Sequence, residues 1–466
     1  MTKRLVLLAT CLAAATPAPA APGQTGDAVV ATQSGRVRGR VEDGIASWKG
    51  IPFAAPPVGA LRWRAPRPVA PWREVRDAGA YGNDCMQVPF PSDAAPLGTP
   101  PAEDCLYLNV WKSAGAKGKL PVVLWIYGGG FVNGGSSPPS YSGANLARQG
   151  VVFVSFNYRV GRFGTFAHPA LTKANEDKGL LGNYGYLDQI AALNWVRRNI
   201  ASFGGDPARI TVMGESAGGS SVHTLMTSPL TQGAFQRAIV MSGGDGSARS
   251  EGTLATVEET GAAFGESKGV ARDDPAALAK LRALSAEQVT DGLNMIALYR
   301  PGKRTFSSPF PDGRIAVDIR EAYNSGKFNR VPVMIGATSA DSGGPTGPMI
   351  VGARKLSGLL ADKGVPVYAY RFSYVATSVG RPGAQHASDI PFFFATQRSR
   401  YGDVTSPRDD EMGRTISAYV ANFAKSGDPN GQGLPSWPRY SPRDDILMDF
   451  GTDGRALAIK DPLVSP

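Results

Sequence analysis

The chain has 466 residues, with 49 Lys and Arg against 39 Asp and Glu, a formal charge of +10, and only three His and three Cys. So few histidines exclude a multi-histidine metal centre, and no metal or other cofactor is expected. The basic residues are scattered, without a block of like charges or a basic helix interleaved with aromatics, which argues against nucleic-acid binding.

Lys3 and Arg4 precede an apolar run from Leu5 to Ala15 and then a small-residue segment in which Ala18 and Ala20 suit the −3 and −1 positions of a cleavage site. This is the pattern of a secretory signal, so residues 1–20 are expected to be removed and the protein to be exported, periplasmic or secreted. The run is too short for a membrane span, which needs about 20 apolar residues. Cys11 would leave with the signal, and the remaining pair, Cys85 and Cys105, reads in an oxidising compartment as one disulfide rather than two unrelated buried thiols. Such a bridge would close a loop of about 20 residues, worth roughly 3 kcal/mol.

Residues 28–50 alternate in short β-like runs, a small N-terminal meander, and the Pro- and Gly-rich stretch 51–102 reads as ordered loop. Continuous apolar runs follow at Leu106–Trp111, Val122–Tyr127, Val151–Phe156, Ile210–Met213, Ala238–Met241, Val331–Ile335 and Val367–Phe372. Runs of this kind suit strands covered on both faces. Helical spacing appears between several of them, most clearly at Leu187–Ile200. The alternation predicts an α/β fold with a large, mostly parallel sheet flanked by helices. Length alone would allow about three domains. With no long linker or repeat, one domain over residues 21–466 is expected.

Gly214-Glu-Ser216-Ala217-Gly218 joins one of these strands to a helix expected over Ser220–Met226. Glycines two residues either side of a serine permit a sharp strand-to-helix turn that exposes the hydroxyl at the helix N-terminus. A nucleophilic serine needs a base. His223 lies seven residues along the same helix, about 10 Å away, and suits a packed helix residue. His168 sits in a loop and suits a surface residue. His386 follows a strand and supplies the Ser-then-His order, so it is the expected base. Asp341, just past the strand that begins near Val331, is the expected acid, because α/β sites assemble at the carboxyl ends of strands. Asp312 reads as a turn residue and Asp362 as a surface one. Asp389 is near His386 but follows it. Gly128-Gly129-Gly130, directly after a strand, offers unobstructed N–H groups. Gly129 and Gly130, with Ala217, would form a three-donor oxyanion hole. No Gly-Lys-Ser/Thr follows, so a phosphate loop is disfavoured.

Together these stretches resemble the type-B carboxylesterases, which include cholinesterases and bacterial p-nitrobenzyl-type esterases. Phe203-Gly-Gly-Asp-Pro-Ala-Arg-Ile-Thr-Val-Met-Gly-Glu-Ser216-Ala-Gly is similar to the family's serine signature throughout. Glu103-Asp-Cys105-Leu-Tyr-Leu-Asn-Val is similar to its second signature, departing at Ser113. Gly50-Ile-Pro-Phe, Asn157-Tyr-Arg-Val-Gly161, Gly182-Asn-Tyr-Gly185 and Gly427-Asp-Pro-Asn also fit. The resemblance implies an α/β-hydrolase fold and a serine hydrolase acting on small-molecule carboxylic esters through a Ser216–Asp341–His386 triad. It also implies a Cys85–Cys105 bridge and oxyanion donors at Gly129, Gly130 and Ala217. A lipase or polyester hydrolase could use the same triad. A non-catalytic binding relative would generally lack the nucleophile or base. Oligomeric state is not encoded in any motif, and a monomer is the default expectation.

Two departures stand out. The family acid is usually Glu followed by Gly, whereas this chain has Asp341-Ser342. The segment from acid to His386 is short, lacking helical residues that family members use to wall the active site. A more open pocket, tolerant of bulky esters, is the corresponding expectation.

Overall fold

The computed structural model describes residues 26–90, 93–247, 252–299 and 305–463. The expected signal segment, with Cys11, lies outside them. The expected strands form one continuous sheet. In chain order its main strands are β1 (Gly26–Ala31), β2 (Arg36–Glu42), β3 (Ile45–Pro52) and β4 (Tyr107–Ser113). Next come β5 (Leu120–Ile126), β6 (Val152–Phe156), β7 (Gly205–Glu215) and β8 (Arg237–Met241). The last four are β9 (Val333–Thr338), β10 (Val367–Phe372), β11 (Ile446–Phe450) and β12 (Ala456–Lys460).

Their spatial order is β1-β2-β3-β4-β6-β5-β7-β8-β9-β10-β11-β12. From β6 to β11 every neighbour is parallel. Both edges are antiparallel. The N-terminal meander is therefore the edge of the main sheet, joined through Ile45 opposite Ser113. The parallel centre is also where the apolar runs were continuous. Val122 to Ile126, Val152 to Val154 and Ala238 to Met241 are all fully buried. Covering a strand on both faces leaves no side for polar residues, which is why period-two alternation is missing there.

Helices α1 (Tyr184–Asn199), α2 (Ala217–Thr227), α3 (Pro348–Asp362) and α4 (Pro407–Ser426) flank the sheet. α4 begins with a capping box at Ser406, carries Asp409 and Asp410 in its first turn, and ends at Gly427 in the left-handed region. Among the described residues no helix is long and apolar enough to cross a membrane. Cys85 and Cys105 are joined by a disulfide, tying the loop ahead of β4 to the sheet. For function, the consequence is that β5, β7, β8, β9 and β10 deliver their C-terminal ends to the same edge, and the loops that follow them carry Gly129, Ser216, Ser242, Asp341 and His386.

Candidate active site

At the end of β7 the chain turns through Ser216, with φ 55° and ψ −118°, directly into α2. A non-glycine residue in the left-handed region is strained by roughly 1–3 kcal/mol. The flanking glycines are required by contact. A Cβ on Gly214 would stand 2.3 Å from the Gly218 carbonyl oxygen, and one on Gly218 would stand 2.0 Å from that of Ile126. The helix starts at Ala217, three residues earlier than the sequence suggested, so the Ala217 N–H opens the helix beside the serine.

His386 lies in the loop after β10, and its Nε2 is 2.8 Å from Ser216 Oγ. Its Nδ1 is 2.6 Å from Asp341 Oδ1. With the proton on Nδ1, the ring donates to Asp341 and accepts from Ser216. The two loops are stitched together. Ala340 N donates to Ala384 O, Ala384 N donates to Ser339 Oγ, and Ala340 forms a parallel bridge with Gln385. This stitching fixes Asp341 and His386 relative to each other across a sequence separation of 45.

Asp341 is buried and heavily bonded. Its Oδ2 accepts from Ser242 Oγ at 2.7 Å and Thr338 Oγ1 at 3.0 Å, and its Oδ1 accepts from the Ser342 N–H at 2.7 Å. Burial alone would favour its neutral acid, but the hydrogen bonds and the neighbouring imidazole outweigh burial and hold its pKa below the ordinary value. Ser242 and Thr338 were not singled out in the sequence. The available signal was topological: Ser242 follows β8, and β8 neighbours β9.

The glycine run leaves β5 and abuts the elbow. A Cβ on Gly128 would stand 3.0 Å from the Ser216 Cβ and 2.8 Å from the Glu215 carbonyl oxygen. Gly129 and Gly130 follow at φ 101° and 64°, and Phe131 also lies at positive φ, 64°. The Gly129 carbonyl accepts from Val132 and Asn133, which locks the turn. Three of the sequence-predicted elements, glycine run, elbow serine and histidine loop, thus converge.

Two buried acids stand behind the histidine. Glu215 Oε1 lies 3.3 Å from His386 Nε2. Burial, with the nearby carboxylates, pushes Glu215 up to about 8. Asp389 is fully buried, accepts from the Tyr370 hydroxyl at 3.4 Å, and is raised to about 7 by burial and by Asp341. Burial works against a charged His386, yet the Glu215 and Asp341 carboxylates outweigh it and raise the imidazole to about 9. If neutral His386 is the base, kcat/KM for a neutral ester climbs with pH through a limb well above imidazole's usual value. Replacing Glu215 by Gln removes the largest charge favouring the imidazolium and moves that limb down by about one pH unit. A pH–rate profile of Glu215→Gln beside the wild type checks this, and an unmoved limb contradicts it.

The other histidines are structural. His223 bonds the Tyr323 hydroxyl at 2.8 Å and the Gly244 carbonyl at 3.2 Å, and burial lowers it to about 4. His168 is not the surface residue expected from its loop sequence. It is fully buried, and its Nδ1 accepts from Ala170 N at the start of the helix Pro169–Ala174, acting as its N-cap. Asp312 is a turn residue, as expected, accepting from the backbone N–H groups of Arg314 and Ile315.

Two cavities adjoin this constellation. One, of about 290 Å³, opens beside Gln385, His386, Ala387 and Ser388. The other, about 20 Å³, is lined by Phe131, Tyr186, Ser220, Phe310 and Ile319.

Residues 26–349 and 347–462 match the profile of the carboxylesterase family. The join between the two stretches falls between Asp341 and His386. The fumonisin B1 esterase of Sphingopyxis macrogoltabida is 37% identical, covering 90% of this chain and 86% of that protein. The para-nitrobenzyl esterase of Bacillus subtilis is 33% identical over 90% of this chain and 94% of its own length. The acetylcholinesterase of Bungarus fasciatus is 31% identical, covering 92% of this chain and 84% of that protein. A solved PNB esterase superposes with a TM-score of 0.81 at 31% identity, covering 93% of this chain and 97% of that one. The chain belongs to the carboxylesterase family.

Proposed function

We propose that this carboxylesterase cleaves carboxylic esters through an acyl-enzyme on Ser216, with His386 as general base and acid, Asp341 as its orienting carboxylate, and Gly129, Gly130 and Ala217 as oxyanion donors. The observation that carries the reading is the unbroken hydrogen-bond line Asp341–His386–Ser216. In the first half, Ser216 Oγ attacks the ester carbonyl as its proton passes to His386 Nε2. The negative charge that develops on the carbonyl oxygen meets the backbone N–H groups, each worth roughly 3–4 kcal/mol of barrier. The imidazolium then returns the proton to the departing alcohol oxygen. In the second half, water takes the place of the alcohol, and His386 repeats the same transfers to release the acid. Asp341 keeps the proton on Nδ1 throughout and stabilises the imidazolium.

Asp is one methylene shorter than the Glu usual in relatives. The stitched Ala340–Gln385 backbone and the Ser342 N–H bond support the shorter side chain in reaching His386. The short acid-to-histidine segment and the larger cavity beside His386 support tolerance of bulk on the alcohol side. The small apolar cavity one turn along α2 supports restriction on the acyl side. A p-nitrophenyl series from acetate to palmitate is then expected to peak at short acyl chains, while bulky acetate esters remain substrates. Collapse of activity for every alcohol larger than a few carbons contradicts the open-pocket reading. The disulfide and the residue pattern at 1–20 support export, with Ala21 as the mature N-terminus. N-terminal sequencing of exported protein checks this, and a retained Lys3-Arg4 segment contradicts it.

A further inference from the structure

The larger cavity has a chemical character that ester hydrolysis alone does not explain. His386 must hand its proton to the leaving oxygen, so the alcohol half of an ester departs along the histidine side of the site. The cavity of about 290 Å³ lies on that side and is lined by Gln385, His386 and Ser388, with Tyr374, Arg381 and Arg400 also in its wall. Both arginines are exposed, and neither has an ion pair or a side-chain hydrogen bond among the described residues. Their neighbours behave differently. Arg398, two residues before Arg400, pairs with Asp410. Arg371, at the end of β10, pairs with Asp461 at 2.7 Å.

Asp93 is the acid whose charge Arg400 feels. Its Oδ1 accepts from the Ala95 N–H instead of closing on the guanidinium. Two unpaired planar guanidiniums facing one cavity match a carboxylate, which each can hold by paired N–H donors. The net positive charge of the chain favours the approach of such a ligand.

We propose that this cavity is the alcohol-side subsite, and that Arg381 and Arg400 select esters whose alcohol half carries a carboxylate. The proposal rests on the ester-hydrolase reading and adds a substrate class to it. Because both side chains are exposed, the preference weakens with salt.

The test compares 4-acetoxybenzoate with its neutral counterpart 4-acetoxybenzamide at low ionic strength, in wild type and in Arg381→Ala/Arg400→Ala. The ratio of kcat/KM, anionic over neutral, is expected to fall about tenfold in the double variant, through KM, and the wild-type ratio to decline as salt is added. In Arg381→Glu/Arg400→Glu the preference is expected to invert toward 4-acetoxyphenyl-trimethylammonium. An unchanged ratio in the alanine variant overturns the proposal while leaving hydrolysis of the neutral ester intact. Phenyl hydrogen glutarate, which carries its carboxylate on the acyl half, is the orientation control: a tenfold loss there instead of with 4-acetoxybenzoate also overturns it. Failure of wild type to cleave any of these esters falls on the ester-hydrolase reading itself.

Discussion

Ser216→Ala is expected to lower kcat on p-nitrophenyl acetate by about 10⁶-fold while the protein still folds. The size follows from covalency. Without Oγ no acyl-enzyme forms, and His386 has no hydroxyl to deprotonate, so only binding and the backbone donors remain. Folding should survive because the turn is held by backbone: Ser216 N donates to Met241 O at 2.9 Å, and Ser220 N donates to Ser216 O at 2.9 Å. Alanine keeps the Cβ that packs over Gly128. A rate measurement on variant and wild type, with a thermal melt to show the fold, decides it. A residual rate within tenfold of wild type would mean that the hydroxyl 2.8 Å from His386 is not the nucleophile.

Asp341→Asn should cost about 10⁴-fold in kcat, with KM little changed. The amide is isosteric, so the loop need not move. Its nitrogen, however, can no longer accept from Nδ1–H, and the ring is driven to the tautomer that places a proton on Nε2, facing Ser216. The variant also loses the negative charge that supports the imidazolium. Ser242, Thr338 and the Ser342 N–H, which now converge on the carboxylate, would meet a group that accepts less well. A second effect separates this role from a structural one. Losing Asp341 lowers the imidazole pKa, so the residual activity should reach its plateau at lower pH than wild type. Steady-state kinetics across pH checks both, and a loss of tenfold or less would move the acid role elsewhere, with the buried Asp389 as the alternative.

The parts of the site that were readable beforehand are those with local cause. Gly214 and Gly218 announce the elbow because a side chain at either would collide with backbone. The glycine run after β5 and the scarcity of histidine point to their partners by chemistry and elimination. The continuous apolar strands were readable because double coverage erases alternation. What stayed hidden depends on tertiary placement. Ser242 and Thr338 are ordinary residues until the adjacency of β8 and β9 brings both to Asp341. The join between the acid and histidine loops is a backbone bridge across 45 residues, with no periodicity to betray it. His168 was misplaced because a His-Pro pair in a loop looks solvated, whereas packing buries it as a helix cap. The antiparallel β1–β3 edge was read correctly as strands, but its continuity with the main sheet lies in pairing with β4, which no local pattern encodes.

The central claim is that Ser216 is acylated and that His386 activates it. Intact-mass and peptide mass spectrometry after treatment with a fluorophosphonate tests this most directly. Wild type should gain one phosphonyl group, located on the Gly214–Gly218 segment, His386→Ala should label far more slowly, and Ser216→Ala should gain nothing. An unlabelled wild type, or a label that persists in Ser216→Ala, would contradict it.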